Sequence, residues 1–429
     1  MSALPSTTVA SILAAADDLR DELVMLLRHG VQIPSVNPAF AGGTGEGRFQ
    51  EFVAEQLARL GAHLDVWEPE GAVLAERYGP TLQTSTCDFR GRPNVVGVFD
   101  PAGDAGRRVH LILNSHADTV AADVARWKHD PFAAEVEDGW LCGLGAADAK
   151  GCLVAQLGAL SVLRAAGICL RASVALTSVV DEEAGGGGTL ACIARDYQAT
   201  GALIGEPTSL AVCPGSRGAF GLKLTVRGRG AHLGVAYDGV NAIEHAGRYI
   251  QAFNDLALEL DRDYRHPLWR PLPAGHVFSV TQIASDPAPG SVPSRCEVRF
   301  SAGYMAGETR TRIRQRIEAA FGPITRADPW LSAHPPDVEL TGPFIDAAAT
   351  PLDHPLVADL VGAATDLGLP TPPVQALSAG TDGRLLTNEG GTPAINFGPG
   401  EMSRAHGPDE ALHLDEFLQA VAWIAVAVA

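Results

Sequence analysis

Five places in the chain put an acid or a histidine where an apolar, strand-like run ends. "HLILNSHADTV" carries His116 and Asp118, and "LGAADAKG" carries Asp148. "SVALTSVVDEEAGGGGT" carries Asp181, Glu182 and Glu183, "ALIGEPT" carries Glu206, and "INFGPGEMSRAHGPDE" carries His406. Two imidazoles among several carboxylates, with no thiolate, form a donor set for zinc, manganese or cobalt. Three adjacent acids repel one another unless cations neutralise them or one keeps its proton. Metal ions would offset that repulsion, and the glycines that follow would let the backbone turn tightly beside them. His116 and Asp118 stand two apart, so an extended chain turns both to one side. Asp118 is then placed to hold the imidazole nitrogen that faces away from a metal. Each residue has a plain alternative. A strand-end Asp such as Asp148 or Asp181 can cap a helix, and a lone His can sit on the surface or in a satisfied core. The set, taken in order, points to metal-assisted chemistry.

Such residues converge only if the strands that carry them lie side by side. In open α/β sheets, sites form beyond the carboxyl ends of the strands. The first half of the chain supplies this pattern. Helical spacing over 46–62 is followed by strand-like "HLDVWEP", "NVVGVFD" and "RRVHLILNSHAD". A helix over 151–167, the strand "SVALTSVV", a helix in "GTLACIARDYQA" and the strand "ALIGEPT" come next. The expected fold class is α/β, with a mixed, mostly parallel sheet and helices on both faces. Near residue 215 the style changes to period-two strands with two amphipathic helices, a small α+β unit. The Pro- and Asp-rich segment 325–343 is expected as its exit. The catalytic domain is therefore expected over 1–215 and 336–429, with an inserted domain over 216–335.

Composition narrows the field. An apolar content of 46% with 19% charged residues suits a packed core and not a disordered chain. A formal charge of -18 argues against nucleic-acid binding, which needs basic surface, and against anionic membranes. The N-terminus has no basic region before an apolar run and is expected as an amphipathic helix. "AVAWIAVAVA" near the C-terminus is too short to span a bilayer. Seven scattered cysteines form no CxxC pair, so they are expected as core residues of a cytoplasmic protein.

The stretches "NSHADTV", "GAADAKG", "DEEAGGGGT", "GEPT", "RGRGAHLGVAYDGVNAIEHA", "SAGTDGRLL" and "FGPGEMSRAHGPDE" together resemble one family. It is the aminoacylase, acetylornithine deacetylase and succinyl-diaminopimelate desuccinylase family of dinuclear metallohydrolases, with its carboxypeptidase relatives. The resemblance implies a zinc-exopeptidase-like fold and two divalent ions, zinc first, with manganese or cobalt as alternatives. It implies that Asp148 bridges the ions, that His116 and Glu206 complete one shell, and that Glu183 and His406 complete the other. Glu182 would stay off the metals as general base and acid, acting on a metal-bridging water. Asp118 matches the acid that orients His116. The inserted domain would be a lid that pairs two subunits, and its His232 would reach a partner's site to stabilise an oxyanion.

The expected function is hydrolysis of a C–N bond, the deacylation of an N-acylated amino acid or a related small molecule. The alternatives are an aminohydrolase that displaces an amine from an activated carbon, and a small-peptide exopeptidase. A non-enzymatic metal-binding protein would be expected to lose the free base, yet Glu182 is present. Three positions depart from the family. Ala149 follows the bridging Asp where an acid, Met or Asn is common. Ser291 and Gly303 stand where an Asn and an Arg usually clamp a substrate carboxylate. Either the substrate lacks that carboxylate, or another group replaces the clamp: Arg217, Arg295, Arg299, Arg384 or the backbone near Gly380 and Thr381.

Overall fold

The apolar runs ahead of His116, Asp181, Glu206 and His406 form the middle of one sheet, whereas Asp148, expected at a strand end, lies in a turn ahead of a helix. The computed structural model describes residues 4–79, 81–82, 85–103, 106–286 and 289–429. Among these, nine strands make the main sheet. The order begins His63–Trp67, Asn94–Phe99, Val174–Val179, Arg108–His116, Gln198–Ile204 and Ala394–Asn396, and continues through Val212–Ser216 to Ala348–Ala349. Val374–Leu377 pairs with Val212–Ser216. The strands ending in His116 and Val179 are parallel neighbours, and Gln198–Ile204 runs parallel on the other side of Arg108–His116. Antiparallel pairs lie toward the edges. His116, Asp181 and Glu206 therefore emerge at the same end of adjacent strands, as β-branched runs buried on both faces require.

Helix Lys150–Ala165 begins two residues after Asp148 and is buried for most of its length. It packs with Leu414–Val428 on one side of the sheet, in a core that includes Leu153, Leu157, Val421 and Ile424. Gly187–Ala194 packs in a second core with Val96, Ile112 and Val179. The helix expected in "GTLACIARDYQA" ends earlier than the sequence pattern suggested. Asp196 takes a left-handed φ of 66°, and the residues from Gln198 onward form a strand. The expected N-terminal helix is two helices, Ser6–Asp18 and Arg20–Gln32; residues 1–3 lie outside the described ones.

Contacts divide the chain into two units, one of Met1–Ser216, Ala349–Leu377 and Thr381–Ala429, the other of Arg217–Ala348 and Ser378–Gly380. The second unit is an antiparallel sheet ordered Val277–Ser285, Arg295–Tyr304, Gly218–Arg227, Asp337–Ile345. Alternate residues Phe220, Leu222, Leu224 and Val226 meet Ala246, Tyr249, Phe253 and Leu256 of helix Ala242–Asp263. Asn241 caps that helix by accepting the N–H groups of Ile243 and Glu244. Segment 325–343 differs from its expectation as an exit. Its Asp337–Ile345 part pairs with Gly218–Arg227, so the edge of the second unit extends past residue 335.

Candidate metal centre

Asp148 lies at the centre of the cluster, and each of its oxygens faces a different histidine. His116 Nε2 is 3.0 Å from Asp148 Oδ1, and His406 Nε2 is 3.3 Å from Asp148 Oδ2. His406 Nε2 also lies 3.0 Å from Glu183 Oε1. Two sets of donor atoms result, His116–Asp148–Glu206 and Asp148–Glu183–His406, with the atoms of each set within 4.8 Å of one another. Both can hold a metal ion, and they share one carboxylate. The first set is buried throughout, whereas the side chain of His406 is 51% exposed. Glu182 belongs to neither set.

The donor chemistry fits divalent cations. Burial pushes the carboxyls of Glu182 and Glu206 well above their ordinary range, and Glu183 is raised for the same reason. His406, hydrogen-bonded to Asp148 and Glu183, is pushed up to about 11. Burial opposes a charge on His116, yet its bonds to Asp118 and Asp148 raise it well above its usual value. A cluster that draws protons onto both imidazoles and onto its three glutamates, while Asp148 is held low by the histidines, is short of positive charge. Metal ions supply that charge without protons.

The His116 ring is held from behind. Its Nδ1 donates to the Asp118 main-chain carbonyl at 2.9 Å, which leaves the Nε2 lone pair facing Asp148. Asp118 is the residue expected to hold the nitrogen that faces away from a metal, and its carboxylate Oδ1 lies 3.6 Å from Nδ1. The carboxylate oxygens instead accept the main-chain N–H groups of Glu182 and Glu183, at 3.1 Å each. Asp118 thus fixes the imidazole with one end and the Glu182–Ala184 turn with the other. The glycines let that turn form. Gly185 and Gly186 have φ of 138° and 82°, and a Cβ on Gly186 would fall 2.4 Å from Asp382 Oδ1.

Two further acids escaped the sequence reading. Glu410 Oε1 accepts the N–H groups of Ala147 and Asp148 at 2.8 and 3.0 Å, pinning the backbone of the shared ligand. Burial pushes Glu410 up to about 8. Asp382 accepts from Thr189 Oγ1 at 2.6 Å, and its Oδ1 is buried with no partner among the described residues. Burial pushes Asp382 up to about 6. Both stand inside quoted stretches, in "SAGTDGRLL" and "AHGPDE". Neither ends an apolar run, so neither gave a spacing signal.

Of the residues considered as clamp replacements, Arg217 donates to the carbonyls of Ser378, Gly275 and Ala274 and is consumed by them. It also packs beside Gly303, where a Cβ would meet Arg217 Cδ at 3.1 Å. Arg295 pairs with Glu297 at 2.6 Å. Arg384 is buried and lies 3.5 Å from the Gly185 carbonyl. His232 is in the second unit, where its Nδ1 accepts the Gly234 N–H at 3.0 Å.

Peptidase family M20/M25/M40 matches residues 112–429. An N-formyl-4-amino-5-aminomethyl-2-methylpyrimidine deformylase of Halalkalibacterium halodurans is 28% identical, over 96% of this chain and 95% of its own. A succinyl-diaminopimelate desuccinylase of Methylobacterium radiotolerans is 31% identical, over 72% of this chain and 77% of its own. Among solved structures, a tripeptidase of Staphylococcus aureus superposes with a TM-score of 0.71 at 19% identity, covering 95% of this chain and 97% of its own. That likeness shows the fold.

Proposed function

The chain belongs to peptidase family M20/M25/M40 and is a hydrolase of C–N bonds, and on that premise we propose that it removes a short acyl group from the amine of a small molecule. The observation that carries this reading is the shared Asp148, which sorts five donors into two sets and leaves Glu182 outside both. His116, Asp148 and Glu206 would hold one divalent ion and Asp148, Glu183 and His406 a second, zinc first with manganese or cobalt as alternatives, and such ions would lower the pKa of a water and polarise a carbonyl. Glu182 takes the proton of the attacking water and returns it to the leaving amine. Glu183 keeps to its set because Asp118 holds the turn by both N–H groups. His232 carries its ring proton on Nε2, since Nδ1 is an acceptor, and so can donate to an oxyanion. It does so in a homodimer formed through residues 216–335. Mixing inactive His232→Ala and Glu182→Gln subunits then restores activity, and no recovery after subunit exchange contradicts it.

The substrate is small and lacks a carboxylate beside the scissile nitrogen. Gly303 and Ser291 offer no fork for one, and Arg217 is consumed by carbonyls. A cavity of about 90 Å³ borders His406 and is lined by Val120, Arg126, Trp127 and Leu144. The deformylase relative spans nearly the whole chain. No helix of the described residues is long and apolar enough to cross a membrane. Seven unpaired cysteines support a cytoplasmic location.

The test is a substrate panel with zinc, manganese and cobalt: the formylated aminopyrimidine, N-acetylornithine, N-succinyl-diaminopimelate, dipeptides and aryl amines. The expected kcat/KM on the formylated amine exceeds that on N-acetylornithine by roughly tenfold or more, the discrimination of a site without a carboxylate partner. High efficiency on N-acetylornithine or N-succinyl-diaminopimelate contradicts the reading.

A further inference from the structure

Behind the Glu182–Ala184 turn lies a buried group of side chains that supplies no donor atom to either set. Asn37 Nδ2 donates to Asp118 Oδ2 at 2.7 Å and to Asp181 Oδ1 at 3.2 Å. Asp181 also accepts from Ser85 Oγ at 2.6 Å and from Arg92 Nη2 at 3.1 Å. Arg92 forks onto Glu46 through two bonds of 2.6 Å. Glu46 Oε1 in turn accepts the Asp181 N–H at 3.3 Å. Asn37, Glu46, Asp118 and Asp181 are fully buried, and Arg92 is 3% exposed. Asp181 sits at a left-handed φ of 70°, a conformation a non-glycine residue keeps only when its surroundings hold it.

We propose that Asn37, backed by Asp181, Arg92 and Glu46, is a positioning residue for the Glu182–Glu183 pair. The proposal rests on the roles given to those two residues above. A carboxamide places two N–H donors between two acids without adding charge. Among the described residues, Arg92 is the one cation in hydrogen-bond contact with this group, and it already serves Glu46 and Asp181. Without Asn37, the buried Asp118 and Asp181 carboxylates lose the donor between them, and unpaired buried charge is costly. Asp118 relieves this by rotating, and the N–H groups of Glu182 and Glu183 lose their acceptor. The first of the three adjacent acids is thus a buried brace, distinct in role from the two that follow it.

The probe is Co²⁺ alone, added to the metal-free chain and followed by its visible absorption. The parent takes up two ions. Asn37→Leu weakens one site by roughly tenfold or more, the usual cost of losing an outer support, while the other site stays within about twofold. Melting temperature, recorded alongside, separates this from general loss of structure. Should Asn37→Leu fail to fold, Asn37→Ser, which keeps one donor, and Ser85→Ala, which removes one bond to Asp181, show the same one-sided weakening to a smaller degree. Equal weakening of both sites, or unchanged affinity in a folded Asn37→Leu chain, overturns the proposal. A parent that takes up fewer than two ions overturns the two-metal reading beneath it, before any variant is made.

Discussion

In the second unit, the sheet and its helices meet through Phe220, Leu224, Tyr249, Phe253, Phe300 and Phe321. Among its described residues from 217 to 348, Arg217 is the one Asp, Glu, Lys or Arg that is buried. The first unit buries Glu46, Asp118, Asp148, Asp181, Glu206, Asp382 and Glu410 against Arg92, Lys150 and Arg384. Removing a carboxylate from water costs several kcal/mol unless it is paired. The second unit avoids that cost by keeping its charges outside, as in Lys223–Glu339, where the Glu is 56% exposed. The first accepts it at one end of one sheet. An excess of buried acids over buried bases marks where a chain has given up stability for chemistry.

The largest effect that can break this comparison is expected at Asp148. Asp148→Ala strips both ions and turnover with them, as metal analysis would show; one ion kept at full occupancy would remove its shared role. Next comes the division between the neighbouring acids. Glu182→Gln is expected to keep both ions while kcat falls roughly 10²- to 10⁴-fold, the range for a lost acid–base group. Glu183→Gln loosens one ion instead, and identical metal contents in the two variants would erase the distinction.

In the second unit the same kind of truncation should cost stability and not metal. Phe253 stacks on Phe278 and meets Phe300 at a tilt, at centroid distances of 4.6 and 4.5 Å. Phe253→Ala is expected to lose about 3–5 kcal/mol in denaturant unfolding with the ions retained in the folded fraction. A loss under about 1 kcal/mol would mean this core is not close-packed. The smallest effect is expected at Lys223–Glu339: Glu339→Gln should cost less than about 1 kcal/mol, and high salt should erase the difference. A larger, salt-insensitive loss would show that charge matters structurally in this unit too.

What could be read from the sequence follows from how locally each signal is written. His116, Glu183 and Glu206 follow the ends of three neighbouring strands, so strand topology brings them together, whereas Asp148 sits just ahead of helix Lys150–Ala165 and His406 lies well past strand Ala394–Asn396. Asp118 was legible from its spacing to His116, but the atom that does the holding was not, because a main-chain carbonyl has no sequence signature. Asn37, Arg92 and Glu410 were invisible. Their partners lie 144, 89 and 262 residues away, and nothing near them in sequence announces the contact. The helix over 188–199 was overextended for a local reason. Apolar periodicity continues through Tyr197, while the left-handed Asp196 that ends the helix is a backbone event. Pro- and Asp-rich composition likewise concealed Asp337–Ile345, whose place as an edge strand tolerates the proline at 343.

The central claim is that one carboxylate joins two metal sites and that Glu182 stands apart from both. Anomalous scattering from crystals loaded with zinc tests it most directly. The account predicts two peaks about 3.5 Å apart, the separation of paired catalytic metals. One lies among His116, Asp148 and Glu206, the other among Asp148, Glu183 and His406, and the Glu182 carboxylate ligates neither. A single peak, or a peak ligated by Glu182, would contradict it.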